Sequence, residues 1–531
     1  MSSLFQLRRI PQRTFSTAAS SVAPASRVMK QAMELSGAPA SAASIPSGGG
    51  WLPADTRVCI REVGCTRHVF LLHPYLSLPQ IEGLAYRIRA LTKNDAINSI
   101  LIANSLASGN DDAALEDEDP VLATMPFTVI DRNSMYFNNG GYDAGFPPKF
   151  GYTFHVSSGY SALDLYQSGD ADNPQAVNVL LSSLSDLALA NLGDARITRV
   201  PTICAPHGAV RDAGFAFLWS SYVLATQESS FRIVNPLRGL SLDPVGLSYV
   251  LPRLGQEFKQ PSKNYPCGMI VGLMGYEANA SDMMETGLAT NYIESAADLG
   301  VLESALAEIR PWNQQGLLKK PRTYCGEEDD GIDHNAEFRN VTVADTINCF
   351  SDYRADGNEM WDLDESDAKL NEDPSLDFDS SPWHAYRTSD LVDYAATFAD
   401  IFATESSVVG ILERFREIAA RTTNDPEEQE GIDVAADFCA RMERQSPLAL
   451  CAVHRLLCIG AKTNETIERC MKRERTVQRK LFAASDFRAW AEHALKHGGD
   501  GDSSSALSFT GWKHRSIKDV SDDEVSELLE D

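Results

Sequence analysis

One stretch, residues 200–254, constrains the fold and the chemistry of this chain most strongly. It begins with an apolar, strand-like piece at residues 200–204, passes through His207-Gly208, and enters a helix-compatible segment at residues 213–225. The first N–H groups of a helix have no partner within that helix, so a strand that turns into a helix aims free donors at its surroundings. Such donors stabilise negative charge that develops on a substrate oxygen. The stretch therefore predicts backbone N–H donors aimed at a developing negative charge.

Ordered motifs on both sides of this stretch follow a single pattern. Residues 155–166 read His-Val-Ser-Ser-Gly-Tyr-Ser-Ala-Leu-Asp-Leu-Tyr, and the stretch itself ends in Leu-Pro-Arg-Leu at residues 251–254. Gly-Leu-Ala-Thr follows at residues 287–290, Gln-Ser-Pro-Leu-Ala-Leu at residues 445–450, and Trp-Lys at residues 512–513. The series resembles the 3-hydroxyisobutyryl-CoA hydrolase family of the crotonase (enoyl-CoA hydratase/isomerase) superfamily. The resemblance covers most of the chain after about residue 55.

The resemblance implies an α/β fold, a crotonase spiral core of repeated strand-strand-helix units that is followed by a C-terminal helical region. The apolar periodicity is consistent with this fold. It predicts strands at residues 58–60, 69–72, 99–103 and 200–204. It predicts helices at residues 80–91, 176–192, 408–420, 432–445, 448–460 and 463–482.

Composition divides the chain into four segments. Residues 1–50 are rich in Ser, Ala and Arg and carry no acid before Glu34, which is typical of a mitochondrial transit peptide and linker; a disordered basic tail is the alternative. Residues 55–310 are the predicted crotonase-like core, and residues 391–531 are the predicted helical region. Residues 311–390 are predicted to be an acidic insertion, partly disordered, because acids crowd residues 327–379. The predicted location is the mitochondrial matrix.

Charge and residue spacing exclude several classes of partner. The formal net charge of −27 disfavours direct contact with nucleic acid. No apolar run is long enough to span a membrane, so we expect no membrane contact. The ten cysteines lack a C-x-x-C pair, and the histidines show no ligand spacing, so we expect reduced thiols, no metal and no cofactor. The remaining partners are an acyl-CoA thioester as substrate, and protein partners in a matrix assembly.

The resemblance also assigns candidate site residues. It implies that the backbone N–H groups of Ser158 and Ala213 are the oxyanion donors and that Asp243 is a retained acid. The family glutamate aligns with Asn235, and an amide cannot act as a base or nucleophile. Losing such a group removes about 10²- to 10⁴-fold of rate. Asp212, beside Ala213, is expected to oppose charge on the oxyanion, and Pro244 is an insertion that could redirect Asp243.

Two functions follow from this site. The first is that of a mitochondrial 3-hydroxyisobutyryl-CoA hydrolase, which cleaves an acyl-CoA thioester in valine catabolism. Its activity is in doubt because Asn235 replaces the family glutamate. The second is that of a catalytically inactive pseudoenzyme, kept as a structural or binding subunit, for example of the small subunit of the mitochondrial ribosome. Enoyl-CoA hydration is a weaker third option, since it too normally needs a glutamate from this region.

Overall fold

The structure is a computed structural model that describes twelve ranges of the chain. They are residues 58–71, 75–94, 97–104, 155–157, 159–192, 200–254, 266–293, 296–309, 334–351, 353–354, 389–497 and 509–530. The predicted transit peptide and the acidic run at residues 111–119 lie outside these ranges, as does most of the predicted insertion.

Ten strands form two sheets in the described part of the chain. They are β1 (Val58–Val63), β2 (Thr66–Leu71), β3 (Ser99–Asn104), β4 (His155–Ser157), β5 (Thr202–Ala205), β6 (Ala209–Arg211), β7 (Tyr222–Ala225), β8 (Ser230–Arg232), β9 (Asn291–Tyr292) and β10 (Tyr353–Arg354). The larger sheet has the order β1-β2-β3-β5-β7-β9-β10, and the smaller has the order β4-β6-β8. The interior pairs of the larger sheet, from β2/β3 to β7/β9, are parallel, and both its edge pairs are antiparallel.

Successive strands from β4 to β9 alternate between the two sheets. The chain therefore repeats a unit of two strands and a helical turn, one strand in each sheet. All pairs of the smaller sheet are parallel, so the carboxyl ends of β4, β6 and β8 lie side by side. In α/β folds, residues at the carboxyl ends of parallel strands form the ligand site. The segments that follow these three strands carry Tyr160, Asp212 and Asn235, which brings distant sequence motifs together.

The described ranges contain sixteen α-helices. They are α1 (Leu78–Leu91), α2 (Ala162–Gln167), α3 (Pro174–Leu192), α4 (Leu247–Val250), α5 (Pro266–Met274), α6 (Ala280–Glu285), α7 (Ala296–Glu308), α8 (His334–Cys349), α9 (Asp390–Thr397), α10 (Ala399–Thr404), α11 (Val408–Ala419), α12 (Pro426–Arg444), α13 (Pro447–Gly460), α14 (Ile467–Phe482), α15 (Ser485–His497) and α16 (Asp522–Leu529). Helix α8 falls inside the predicted acidic insertion. The domain boundaries themselves stay a prediction.

Side-chain caps define where the C-terminal helices begin. The Ser446 hydroxyl accepts a hydrogen bond from the Ala449 N–H at the start of α13, and Pro447 occupies the first helical position. Thr466 accepts from the Arg469 N–H in the same way at the start of α14. Each cap satisfies a donor that the helix cannot satisfy itself, which is worth about 1 kcal/mol. These caps fix the residues at which α13 and α14 begin.

One apolar cluster joins the sheets to the C-terminal helices. It contains Ile102 and Cys204 of the larger sheet, Phe231 of the smaller sheet, Val453 of α13 and Leu481 of α14, all at most 1 % exposed. Burying a large apolar side chain contributes about 1.5–3 kcal/mol. The helical region is therefore packed into the same core as the sheets.

Most of the predicted elements are present, with bounds shifted by a few residues. One is wrong in part, namely the helix-compatible segment at residues 213–225. A 3₁₀ helix ends at Trp219, and Tyr222–Ala225 is strand β7. Its apolar residues are buried on both faces of the sheet between β5 and β9, and such a strand cannot be distinguished from a buried helix by periodicity alone.

Two kinds of feature are absent from the described residues. No helix among them has the length and apolar character that a membrane crossing requires. No cluster of three or more His, Cys, Asp or Glu side chains in these ranges has a geometry that could hold a metal ion.

Candidate functional site

The centre of the site is the carboxyl group of Asp243, which is 0 % exposed. Its Oδ1 accepts hydrogen bonds from the Tyr160 hydroxyl at 3.0 Å and from Nε2 of Gln478 at 2.9 Å. Its Oδ2 accepts a hydrogen bond of 2.9 Å from Nδ2 of Asn235. Three side-chain donors of this chain thus surround Asp243, the acid that the sequence analysis assigned to the site.

The environment of Asp243 shifts its protonation equilibrium. Burial raises the pKa of Asp243 to about 7, and the nearby negative charge of Asp212 adds to the rise, while the three donors oppose it. Burial and the charge of Asp243 also raise the pKa of Tyr160 well above its usual value. Tyr160 therefore keeps its proton and acts as a hydrogen-bond donor to Asp243.

Asn235 lies where the sequence places it, at the carboxyl end of β8. It begins a 3₁₀ turn, Asn235–Arg238, in which Pro236 fixes the backbone. The residue is 2 % exposed, and its side-chain amide faces Asp243. An amide nitrogen has no basic lone pair, so Asn235 holds Asp243 in place but cannot accept a proton from water.

Asp212 binds the backbone that follows β8. Its φ of +43° is the only positive φ of a non-glycine residue in the described ranges. Its Oδ1 accepts hydrogen bonds from the backbone N–H groups of Val234 (2.8 Å) and Asn235 (3.0 Å), and its Oδ2 lies 3.5 Å from the Arg238 guanidinium. Together with burial, its negative charge raises the pKa values of Asp243 and Tyr160, and the expectation that it opposes charge on an oxyanion beside Ala213 stays a prediction.

Ala213 lies in the first turn of the 3₁₀ helix Asp212–Trp219, where N–H groups have no helical partner, and it is 1 % exposed. Its methyl group packs against Gly159, which has a φ of +79°. A Cβ atom added at Gly159 would lie 2.5 Å from Cβ of Ala213. The other expected oxyanion donor, Ser158, lies outside the described residues.

Pro244 does not turn Asp243 away from the site. The carbonyl oxygen of Pro244 accepts a hydrogen bond of 2.7 Å from the Ser185 hydroxyl of α3. The next carbonyl, that of Val245, accepts a 2.6 Å hydrogen bond from the Trp219 indole. Both contacts anchor the inserted residue to the core, so the carboxyl group of Asp243 still faces Asn235.

The C-terminal helix α14 supplies two polar side chains to this site. Oε1 of Gln478 accepts hydrogen bonds from the backbone N–H (2.8 Å) and hydroxyl (3.1 Å) of Ser241. Glu474 accepts from the N–H groups of Gly246 (2.9 Å) and Ser248 (2.6 Å). Sequence reasoning missed both residues. The available signal is that they lie four positions apart on the apolar face of an amphipathic helix.

The chain is similar to known proteins in sequence and in structure. Residues 195–365 match the family model described as Enoyl-CoA hydratase/isomerase. The crystal structure of a carnitinyl-CoA dehydratase from Mycobacterium thermoresistibile aligns with a TM-score of 0.53 at 15% identity, covering 90% of this chain and 96% of that one. The chain has the crotonase fold.

A second crotonase-fold structure, of an enoyl-CoA hydratase from Rhodobacter sphaeroides 2.4.1, aligns with a TM-score of 0.51 at 14% identity. The alignment covers 89% of this chain and 97% of that one. No curated protein sequence matches the chain significantly. At this level of identity the structural matches establish the fold, whereas the chemistry of the site depends on the residues present.

Three of the predicted crotonase site residues come together in this chain. Asn235 and Asp243 are in direct contact, and Ala213 follows Asp212, which binds the Asn235 backbone N–H. Asp243 is the acid among them that titrates near neutral pH. Hydrolysis would require a water molecule beside that carboxyl group, where Tyr160, Asn235 and Gln478 now donate.

Proposed function

We propose that this chain is a non-catalytic relative of crotonase-fold acyl-CoA enzymes that serves as a structural or binding subunit in the mitochondrial matrix. One observation carries the proposal. The carboxyl group of Asp243 is fully buried and accepts hydrogen bonds from three side chains of its own protein. In a site organised in this way the protein itself fills most acceptor positions of the carboxyl group, and a general base needs those positions open to water.

The energetics of the contacts support this proposal. An ionised carboxyl group has about four acceptor sites, and side chains of this protein occupy three of them at Asp243. A water molecule would have to reach the remaining site of a carboxyl group that is fully buried. Displacing Tyr160, Asn235 or Gln478 to admit water would break a hydrogen bond to a charged group, which contributes about 1.5–3 kcal/mol. The substitution of the family glutamate by Asn235 removes the other group that could act as a base.

The sequence supports a matrix assembly as the setting. Residues 1–50 have the composition of a transit peptide, and the net charge of −27 favours contact with basic proteins over contact with bare RNA. The small subunit of the mitochondrial ribosome, which contains a protein related to 3-hydroxyisobutyryl-CoA hydrolases in several lineages, is the assembly we propose. The acidic chain would bind there to basic ribosomal proteins.

Sedimentation of matrix extracts from cells that express a tagged full-length chain tests this setting. We expect the chain to migrate with the small ribosomal subunit at low magnesium, and to remain there after brief nuclease treatment that trims exposed RNA. A control variant carries both Glu413→Lys and Glu417→Lys, which reverse two charges on the exposed face of α11. It tests whether acidic surfaces contribute to binding of the small ribosomal subunit. Migration only as a free protein at the top of the gradient would contradict the proposal.

Retained hydrolysis of 3-hydroxyisobutyryl-CoA is the second candidate, and one observation favours it. A pKa of about 7 at Asp243 is suited to a general base that works near neutral pH. Calorimetric titration of the purified chain with 3-hydroxyisobutyryl-CoA separates the two functions before any turnover assay. A hydrolase should bind the thioester in the micromolar range, and Asp243→Asn should keep that binding. The structural subunit should release no binding heat.

A further inference from the structure

The buried face of helix α14 combines apolar and polar side chains in a specific way. Its apolar members pack into the main core; they are Ile467, Cys470, Met471, Val477, Leu481 and Phe482. Between them lie Glu474 and Gln478, one helical turn apart and both 0 % exposed. Polar side chains in such positions must find partners across the interface. Their partners in the segment that carries Asp243 are Ser241, Asp243, Gly246 and Ser248.

These two side chains bind three backbone N–H groups of one short segment, residues 241–248. Gln478 accepts from the Ser241 N–H, and Glu474 accepts from the N–H groups of Gly246 and Ser248. Gln478 also donates to Asp243 through its amide nitrogen. Every one of these contacts would be lost together if α14 left its place, because the two residues lie on one rigid helix.

The opposite side of the segment is attached to the core without any contribution from α14. Ser185 of α3 donates to the Pro244 carbonyl, and Trp219 donates to the Val245 carbonyl. Asn235 also holds Asp243 without help from α14. Tyr160 donates to Asp243 as well, but its ring packs against Phe482 of α14. The segment can therefore keep its conformation when the helix departs, and it would then present Asp243 and three N–H donors to solvent.

We propose that helix α14 is an intramolecular cover of the Asp243 site, and that the site opens only when this helix comes off as a unit. The proposal goes beyond the proposed function, since a cover would gate the site equally in an active hydrolase. Removal of the helix exposes its six buried apolar side chains, so opening is a partial unfolding event. The cover therefore keeps the site closed in the native state.

Hydrogen exchange of the full-length protein at low denaturant concentrations tests the cover. The N–H groups of Ser241, Gly246 and Ser248 are the reporters, because the acceptors of their hydrogen bonds are side chains of α14. We expect these three amides and the interior amides of α14 to exchange with one common opening constant. The amides of β2 and β3 should exchange at least about tenfold more slowly, since a sheet core opens last.

Two results would overturn the proposal in the unaltered protein. Exchange of the three reporters ahead of α14 would show that the site opens without the helix. Exchange of reporters, α14 and sheet with the same constant would show that the helix is not a separable unit. Neither result depends on whether the protein binds or hydrolyses an acyl-CoA. The cover can therefore be refuted while the proposed function stands, and the reverse also holds.

Matched variants sharpen the measurement. Gln478→Ala removes the acceptor of the Ser241 N–H, so Gly246 and Ser248 are its reporters; their exchange and that of α14 should speed up by the same factor, about tenfold or more, with the sheet unchanged. Glu474→Gln replaces an acceptor of the Gly246 and Ser248 N–H groups with a donor, so Ser241 is its reporter, and exchange of Ser241 and of α14 should speed up together. The control is Arg416→Ala, which breaks the exposed ion pair with Glu443 on neighbouring helices. If either α14 variant sped exchange only within α14, and not at the remaining reporters, the proposal that α14 covers the site would also be contradicted.

Discussion

The side-chain amide of Asn235 donates a hydrogen bond of 2.9 Å to the buried carboxyl group of Asp243. If residue 235 were an acid, the same pair would be two carboxyl groups. Two carboxyl groups at this distance cannot both be ionised without a large cost. The amide of Asn235 instead donates a hydrogen bond to Asp243. Asn235 thus stabilises the closed site and supplies no base.

Restoring an acid at this position should destabilise the protein. Asn235→Asp places a second carboxyl group beside Asp243 with little change in size. We expect a loss of about 2–4 kcal/mol in the free energy of unfolding at pH 8 and a smaller loss at pH 6, where the pair shares a proton. Urea unfolding at both pH values measures the change. An equal loss at the two pH values would show that lost packing, and not charge, is responsible.

The free energy of unfolding should fall as the pH rises from about 4 to 7. The folded-state pKa of Asp243 is raised to about 7, as is that of Glu474, whereas an unfolded carboxyl group titrates near 4. The folded state therefore binds more protons than the unfolded state in this window, and deprotonation favours unfolding.

Asp243→Asn removes one of these titrating groups. We expect the fall in stability between pH 4.5 and pH 7.5 to shrink by at most about 4 kcal/mol, the equivalent of three pKa units. Chemical unfolding of both proteins across this range gives the two slopes. Glu474→Gln should reduce the slope independently, and equal slopes in all three proteins would contradict the burial of protonated acids.

Asp212 stabilises the fold through the hydrogen bonds of its side chain and destabilises it through its positive φ. Two variants separate these two contributions. Glycine relieves the positive φ, while alanine retains it; both remove the hydrogen bonds to Val234 and Asn235 and the charge beside Arg238. We expect Asp212→Gly to lose about 2–4 kcal/mol of unfolding free energy and Asp212→Ala about 1 kcal/mol more. Thermal and urea unfolding measure both. If the alanine variant were the more stable, backbone strain at this residue would be refuted.

The contact between Gly159 and Ala213 should behave as a coupled pair. Gly159→Ala adds a Cβ atom that would lie 2.5 Å from the Ala213 methyl group, in a backbone with φ of +79°. Ala213→Gly removes that methyl group and should recover about 1–2 kcal/mol in the Gly159→Ala background. A double-mutant cycle by urea unfolding gives the coupling energy. A value near zero would mean that only the strained φ opposes the alanine.

Local sequence patterns were sufficient to predict much of the fold. Strand Ser99–Asn104 and helix Pro174–Leu192 follow from their apolar periodicity, and the motif order correctly indicated a crotonase core. The pattern failed at Tyr222–Ala225, a strand buried on both faces, where a continuous apolar run fits a helix equally well. Tertiary pairing with β5 and β9 decides that segment.

The site was harder to predict, for a physical reason. Asp243 and Gln478 are 235 positions apart, and no local rule connects an acid on a turn with an amide on a distant helix. The direction of the Asp212 carboxylate depends on its positive φ, which side chains other than glycine rarely adopt. Buried polar residues on an otherwise apolar helix face, such as Glu474, are the pattern that should raise the expectation of a site contact.

Free-thiol release from 3-hydroxyisobutyryl-CoA by the purified protein lacking residues 1–50 tests the central claim most directly. Asn235→Glu and Asp243→Ala serve as matched variants in the same assay, each first shown by unfolding to be folded. We predict no release above the uncatalysed rate for the unaltered protein or for Asp243→Ala. Robust turnover by the unaltered protein that is lost in Asp243→Ala would contradict the account and make Asp243 the working base of an active hydrolase.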